Sequence, residues 1–571
     1  MRIKIIGIIT LSIFVFLVLG LLNFQLLQGK KYRDLSDKNC IRLIPQLGCR
    51  GKILDRNGEV IVDSVLSYDV MVLPQEAIDF DQTIARISRV LGISERSLKN
   101  KFQQSFISSS VPSTIAENID IKKAIASEEL KVDLAGVVIQ PHPLRHYPYG
   151  DIASHVIGYL GEIDRWRLTK LEDYGYKTKD IVGFGGIEEK YDYYLRQEDG
   201  GTSIEVNRKG KIVRVVGFEP PQRGKDLQLT LNIKIQKIAE EALADKKGGV
   251  IMMDPYTGEI IALASSPHFD PGVFVAQMQD SIDTIVGSLD APMFDRSISG
   301  VYPPGSIFKV IVAAAGLETG KISLSTSFYC PGEFHVGNQK FACWNTHNQQ
   351  NLIEAIAHSC NVFFYNTGLL LGPQIMYDYA VKFGLSKPTS IDLPYEAGGF
   401  VPNPLWKKIY QLRHWFDGDT ANFAIGQGDL QVTPLQMVRM MAVFANNGKL
   451  VRPYLLKSVE GKDISMYQRK AVKMPLKENT FRLIRQGLRG VVVFPKGTAN
   501  VLSTVGIPVA GKTGTAQAAG GLSHAWFVGF FPYNEPKYVM CAFLERGGPG
   551  HYACLVAKQI IEKMKEEGLL E

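Results

Sequence analysis

Ser306 and Lys309, in Pro303-Pro-Gly-Ser-Ile-Phe-Lys309, set a hydroxyl and an amine three residues apart. The segment predicts a helix that continues through Val310-Ile-Val-Ala-Ala-Ala-Gly-Leu317 toward a cap at Gly320. Residues i and i+3 share a helix face, with Cβ atoms about 5–6 Å apart, so the amine stands beside the hydroxyl. A serine attacks a carbonyl only once a base takes its proton, and an amine whose pKa is lowered by burial or by nearby positive charge can be that base. That chemistry is acyl transfer through a serine ester. A lone Ser-x-x-Lys carries little weight, since about two arise by chance in a chain this long.

Two further segments add weight. Ser359-Cys-Asn361 begins 53 residues after Ser306, and Lys512-Thr-Gly-Thr515 lies on a strand-like segment. In this order the three segments match the Ser-x-x-Lys, Ser-x-Asn and Lys-Thr-Gly set of penicillin-recognising acyl transferases. Ser359 can relay a proton between Lys309 and the leaving amine, and Asn361 can donate to a substrate amide. Lys512, Thr513 and Thr515 can receive a carboxylate, and Gly514 lets the strand approach the substrate backbone. The backbone N–H groups of Ser306 and Thr515 are the expected oxyanion hole.

Of seven cysteines, three follow the nucleophile closely in Cys330-x12-Cys343-x3-His347-x12-Cys360. Cys330, Cys343, His347 and Cys360 could close a tetrahedral Zn²⁺ site, and the spacing of Cys343 and His347 suits chelation. Free or disulfide-paired thiols in an oxidising compartment explain the same residues. Since Cys360 sits between Ser359 and Asn361, a metal here would brace the site and perform no chemistry.

These residues need a scaffold, and 571 residues with 45 % apolar and 21 % charged content provide one. Gly249-Val-Ile-Met-Met-Asp-Pro-Tyr-Thr-Gly258 followed by Glu259-Ile-Ile-Ala-Leu-Ala264 predicts a β-hairpin. A helix-rich stretch follows to about residue 446. Strands at 505–515, 525–531 and 538–544 and a helix from Tyr552 complete an antiparallel sheet flanked by helices. Upstream, Asn57-Gly58 marks a hairpin turn, and 59–225 reads as a non-catalytic α+β module closed by Glu219-Pro-Pro-Gln-Arg-Gly224.

The net charge of +7 does not indicate nucleic acid. Residues 1–56 hold ten Lys/Arg against three Asp, and the remainder holds 54 of each sign. The excess flanks Ile5–Gly29, which is free of formal charge and, at about 1.5 Å per residue, spans roughly 37 Å as a helix, enough to cross a bilayer. No small-x-small site follows it, so an uncleaved anchor is expected over a signal peptide. The expected division is 1–29, cytoplasmic tail and anchor; 30–225, pedestal; 226–571, transferase.

The chain resembles the class B penicillin-binding proteins, monofunctional peptidoglycan transpeptidases. The likeness rests on the three motifs and on Arg50-Gly-Lys-Ile-Leu-Asp-Arg-Asn-Gly58, Gly183-Phe-Gly-Gly-Ile-Glu-Glu-Lys-Tyr191, Ala424-Ile-Gly-Gln-Gly428 and Val432-Thr-Pro-Leu-Gln436. Tyr302-Pro-Pro-Gly-Ser306, Cys343-Trp344 and Trp415-Phe-Asp-Gly-Asp419 make it most similar to the elongation-type branch, penicillin-binding protein 2. Two departures stand out: no Gly follows Leu195-Arg196, and Asn232 stands where Asp is usual.

The resemblance implies an α+β chain with one transmembrane helix, a dimerisation-type pedestal and a penicillin-recognising domain. The implied reaction acylates Ser306 with a D-Ala-D-Ala stem peptide and passes the acyl group to a neighbouring stem amine during elongation and shape maintenance. β-Lactams would acylate the same serine. Residues from about 30 would lie on the outer, periplasmic side of the cytoplasmic membrane, beside an integral-membrane glycan polymerase and the elongation complex. Some elongation-type members carry zinc in this region, with ligands matching His347 and Cys360 best. The alternatives are a division-type enzyme, a β-lactamase or β-lactam sensor, and a non-catalytic activator of a polymerase.

Overall fold

The computed structural model describes residues 2–32, 41–77, 79–106, 108, 111–130, 134–206, 212–518 and 520–570. Cys40 and the charged residues Arg33, Asp34, Asp37 and Lys38 fall outside them. At the N-terminus α1 (Arg2–Leu22) runs into a π-turn at Asn23–Leu27. Lys4–Leu27 forms one continuous apolar stretch with none of its surface buried in protein. A helix apolar on every side is at home in hydrocarbon, so this one fits a single-pass membrane anchor.

Two compact units follow from packing. The first comprises 1–50, 64–144 and 196–224. Its core gathers Val70, Val72, Ile84, Ile87, Leu91, Leu98 and Ile115. The helix Phe80–Leu91 starts where the Asp79 carboxylate accepts the Gln82 N–H and stops at Gly92, whose φ is 71°. A separate antiparallel sheet joins Ile41–Gln46, Gly200–Val206 and Ile212–Glu219.

The second unit comprises 51–63, 145–195 and 225–571. Packing thus groups the chain differently from the expected division near residue 225. The reason is a set of buried polar ties that no local pattern announces. Arg145 pairs with Glu188 at 2.6 Å, both side chains almost wholly buried, and donates to the Gly51 carbonyl. Ile53–Leu54 pairs in parallel with Leu227–Leu229. The two upstream motifs, at 50–58 and 183–191, therefore lie almost wholly in the unit that holds the acyl-transfer residues.

The centre of this unit is a five-stranded antiparallel sheet of β1 (Gly248–Met253), β2 (Ile260–Ser266), β3 (Ala510–Gln517), β4 (Ser523–Phe531) and β5 (Tyr538–Leu544), in the order β2-β1-β5-β4-β3. Every residue of β1, β2 and β5 is buried, which explains the unbroken apolar runs of β1 and β5 and the apolar start of β2. The helices α2 (Ile233–Leu243) and α7 (Gly550–Glu566) lie together on the sheet, and α5 (Pro434–Ala445) packs across β1, β5 and β4. Asn232 is the N-cap of α2, its Oδ1 accepting from the N–H groups of Lys234 and Ile235. Asn caps as well as Asp, so this departure leaves the helix start intact.

The motif Val432-Thr-Pro-Leu-Gln436 is likewise a helix start. Thr433 and Gln436 form a capping box around Pro434. Between the strands run α3 (Lys309–Glu318), α4 (Asn361–Lys382) and α6 (Glu478–Val493). The expected helix-rich stretch also holds two strand pairs, Ser327–Cys330 with Asn348–Asn351 and Glu333–Val336 with Gln339–Ala342.

Candidate active site

Ser306 sits on a single 3₁₀ turn, Gly305–Ile307, and α3 begins only at Lys309. The uninterrupted helix expected through both residues is therefore tightened at its first turn, where side chains at i and i+3 eclipse. The turn is pinned from three sides. Gly305 N–H donates to Gly426 O at 3.0 Å, Tyr302 and Val432 exchange backbone bonds at 2.9 Å, and Trp526 Nε1 donates to Pro303 O at 3.1 Å. Gly305 has φ of 56°, and a Cβ there would lie 2.8 Å from Thr515 O. Gly514 leaves no more room, since its Cβ would meet Pro304 O at 2.8 Å. The nucleophile turn and β3 thus approach backbone to backbone, which larger residues at these two positions would prevent.

Lys309 is fully buried. Its Nζ donates to Ser359 O at 2.8 Å, to Ser359 Oγ at 3.3 Å and to Asn361 Oδ1 at 2.6 Å. No hydrogen bond joins it to Ser306 Oγ among the described residues; such contacts often tighten only when substrate is bound. Burial pushes the Lys309 pKa down to about 8, against a small opposing effect of the Cys343 and Cys360 thiols. Ser359 holds its carbonyl toward the amine from a left-handed backbone, φ 55°, between the helix Leu352–Ala357 and α4. A non-glycine residue in that region is costly and persists where its surroundings hold it in place. Asn361 starts α4 and donates Nδ2 to Ala342 O at 3.1 Å.

Lys512, Thr513, Gly514 and Thr515 lie on β3, the edge of the sheet. Lys512 is fully buried and donates to Thr513 O at 3.0 Å. Burial first, and then the charge of Lys309, hold its pKa well below the ordinary lysine value. Two residues not among the expected site residues join this strand, Thr498, which carries no sequence signal, and Gln427 of the Ala424–Gly428 motif. Thr498 Oγ1 lies 2.6 Å from Thr513 Oγ1, and Gln427 Nε2 donates to Thr515 O at 3.4 Å. Thr515 Oγ1 accepts the N–H of Gly550 at the start of α7. An edge strand leaves alternate N–H groups unpaired, which an oxyanion hole requires.

The four expected metal ligands also converge. The ligand atoms of Cys330, Cys343, His347 and Cys360 all lie within 4.8 Å of one another. His347 Nδ1 stands 3.6 Å from Cys330 Sγ and 3.4 Å from Cys343 Sγ. The Cys360 thiol and Cys343 share a hydrogen bond that lowers the Cys343 pKa and raises that of Cys360. Cys343 Sγ further accepts the N–H of Asn361 at 3.3 Å. The six described cysteines are unbridged.

The model of the penicillin binding protein transpeptidase domain matches residues 248–565, more than half of the chain. The chain belongs to the penicillin-binding protein transpeptidase family. The penicillin-binding protein dimerisation domain matches 45–229, so this is a class B penicillin-binding protein with both parts of that architecture. A relative from Acinetobacter baumannii, the peptidoglycan D,D-transpeptidase MrdA, is 31 % identical over 94 % of this chain and 83 % of its own. Penicillin-binding protein 2 of Helicobacter pylori, solved in complex with MreC, superposes with a TM-score of 0.81 at 28 % identity, covering 93 % of this chain and 99 % of that one. A structure on the coordination of polymerization and crosslinking by a peptidoglycan synthase complex superposes at 0.75 and 28 % identity, covering 98 % and 97 %.

Proposed function

We propose that this penicillin-binding protein is a peptidoglycan D,D-transpeptidase of the elongation type. The observation that carries the reading is the buried Lys309 amine, one turn after Ser306 and hydrogen-bonded to both Ser359 and Asn361. In the first half-reaction Lys309 removes the Ser306 proton as Oγ attacks the penultimate D-Ala carbonyl. The N–H groups of Ser306 and Thr515 receive the oxyanion, Ser359 carries the proton to the departing D-Ala, and Asn361 and Lys512–Thr515 hold the stem peptide. In the second, a stem amine from a neighbouring strand attacks the ester, its proton passes by way of Lys309 to Ser306 Oγ, and the ester bond breaks to leave the cross-linking amide and free serine. Fluorescent penicillin and a stem-peptide cross-linking assay test this together. Wild type should give one adduct and cross-linked product, Ser306→Ala neither, and an adduct surviving in that variant would overturn the assignment.

The anchor then lies in the cytoplasmic membrane with the catalytic unit on its outer side. The partners are an integral-membrane glycan polymerase and the elongation machinery; the MreC complex and the synthase complex of the structural relatives support this. Cys330, Cys343, His347 and Cys360 fit a structural Zn²⁺. Three thiols and an imidazole are a tetrahedral zinc donor set, and nitrogen–sulfur separations of 3.4 and 3.6 Å suit ligands at about 2.0–2.3 Å from one ion. Bound there, zinc would fix Cys360, and with it the backbone of Ser359 and Asn361.

A further inference from the structure

Cys330, Cys343 and Cys360 carry three unbridged thiols whose sulfurs lie within 4.8 Å of one another. Two of them face each other. Cys343 shares a hydrogen bond with Cys360, whereas Cys330 is turned toward His347 Nδ1 at 3.6 Å and the Asn345 carbonyl at 3.7 Å. Cys343 is also the one with access. It is half-buried beside Trp344, which is 57 % exposed, while Cys330 and Cys360 are fully buried. The remaining described cysteines stand apart, Cys49 in the first unit and Cys541 and Cys554 buried on β5 and α7.

What this pair touches gives it consequence. Cys360 is the middle residue of Ser359-Cys-Asn361, and Cys343 Sγ accepts the Asn361 N–H at 3.3 Å. Ser359 O and Asn361 Oδ1, on either side, receive the Lys309 amine at 2.8 and 2.6 Å. A disulfide needs its sulfurs about 2.05 Å apart. Closing this pair therefore displaces a sulfur that now holds the Asn361 N–H, or one that sits inside the motif itself, and the hydrogen bonds that orient Lys309 shift with it.

We propose that Cys343 and Cys360 form a reversible disulfide that switches the transpeptidase off, with a low-molecular-weight disulfide, RSSR, as the oxidant. The Cys343 sulfur attacks one sulfur of RSSR and expels a first RS⁻. Cys360 then attacks the Cys343 sulfur of that mixed disulfide and expels a second. Two electrons pass from the protein to RSSR, which leaves as two RSH. Their protons come from the two thiols, or from water where the sulfurs are zinc-bound thiolates. The disulfide needs only the thiols; the loss of metal that accompanies it rests on the zinc reading above. Cys330 and His347 would remain as two ligands where a structural site takes four, so zinc is released as the bridge closes.

The test uses the full chain in detergent, reduced with dithiothreitol, supplied with zinc, freed of excess reagents and treated with oxidised glutathione. Peptide mass mapping should find Cys343 joined to Cys360. The rate of acylation by fluorescent penicillin should fall about 10- to 100-fold, since a misplacement of about 1 Å costs that much in an active site. Dithiothreitol with zinc should restore it. Cys343→Ser, compared with itself before and after oxidised glutathione, should show no change in rate; should that variant fail to fold, the wild-type map and rate decide alone. Released zinc, read with a chromogenic chelator, separates the two readings. A zinc-free protein that still closes the bridge and slows refutes the metal alone, whereas zinc retained with all three thiols intact refutes the switch alone. A bridge to Cys330 in place of Cys360, glutathione left on Cys343 without closure, or a Cys343–Cys360 bridge with an unchanged rate would also overturn the proposal.

Discussion

Raising the pH from 6 to 8 should accelerate acylation of Ser306 about fifty-fold, because the base is a lysine that burial has made partly neutral. Lys309 has a pKa of about 8 against an ordinary 10.5. Only the neutral amine can take the serine proton, and that form is about 1 % of the total at pH 6, about 9 % at pH 7 and half at pH 8. An unperturbed lysine would be about 0.03 % neutral at pH 7, so burial alone multiplies the usable base about 300-fold. The sign follows from the depressed pKa: activity is gained as the proton leaves, and the rise ends near pH 8.

The assay is the second-order rate constant for fluorescent penicillin between pH 5.5 and 9 at fixed ionic strength. The logarithm of the rate should climb by about one per pH unit and then level off near 8. Lys309→Ala should lose about 10²- to 10⁴-fold and flatten the profile. Lys309→Arg should be nearly as slow, since a guanidinium with a pKa above about 12 keeps its proton throughout. A flat wild-type profile from pH 6 to 8, or an arginine variant within about tenfold of wild type, would refute the assignment of Lys309 as base.

Gly514→Ala places a methyl 2.8 Å from Pro304 O and 3.1 Å from Ile307 Cγ1, so the nucleophile turn must move. The acylation rate should fall about 10- to 100-fold while the melting temperature changes by only about a few degrees, and an unchanged rate would contradict the close approach. Protein purified without chelators should carry close to one zinc per chain by elemental analysis. Cys343→Ser should lose the metal and melt lower, because binding energy at a structural site is also folding energy; Cys541→Ser, on β5, should keep it. N-terminal sequencing of membrane-extracted protein should begin at or near Met1, whereas a start near residue 30 would mean that the apolar helix is a cleaved leader.

What could be read from the sequence divides along physical lines. β1 and β5 are short, wholly apolar and wholly buried, and helix starts such as Thr433-Pro-Leu-Gln436 carry their own hydrogen-bond partners; local chemistry decides both. The pairs in 327–351 gave no such sign, because strands such as Gln339–Ala342 and Asn348–Asn351 are polar and mostly exposed. Nor could the grouping of 145–195 with the catalytic unit be seen, since it depends on contacts such as the Ala153 N–H with Glu240 and the Tyr191 hydroxyl with Asp392, 87 and 201 residues away. The cysteine–histidine spacing did suggest a metal site, but spacing alone could not bring Cys330 to His347. That is done by the pairing of Cys330 with Asn348 across one of the unforeseen strand pairs, which sets the thiol beside the imidazole. Cys360 then joins the same cluster from between Ser359 and Asn361, and Cys343 Sγ takes the Asn361 N–H directly. The polar strands that left no trace in the hydrophobic pattern are therefore the ones that tie the thiol cluster to the peptide from which Lys309 draws its hydrogen bonds.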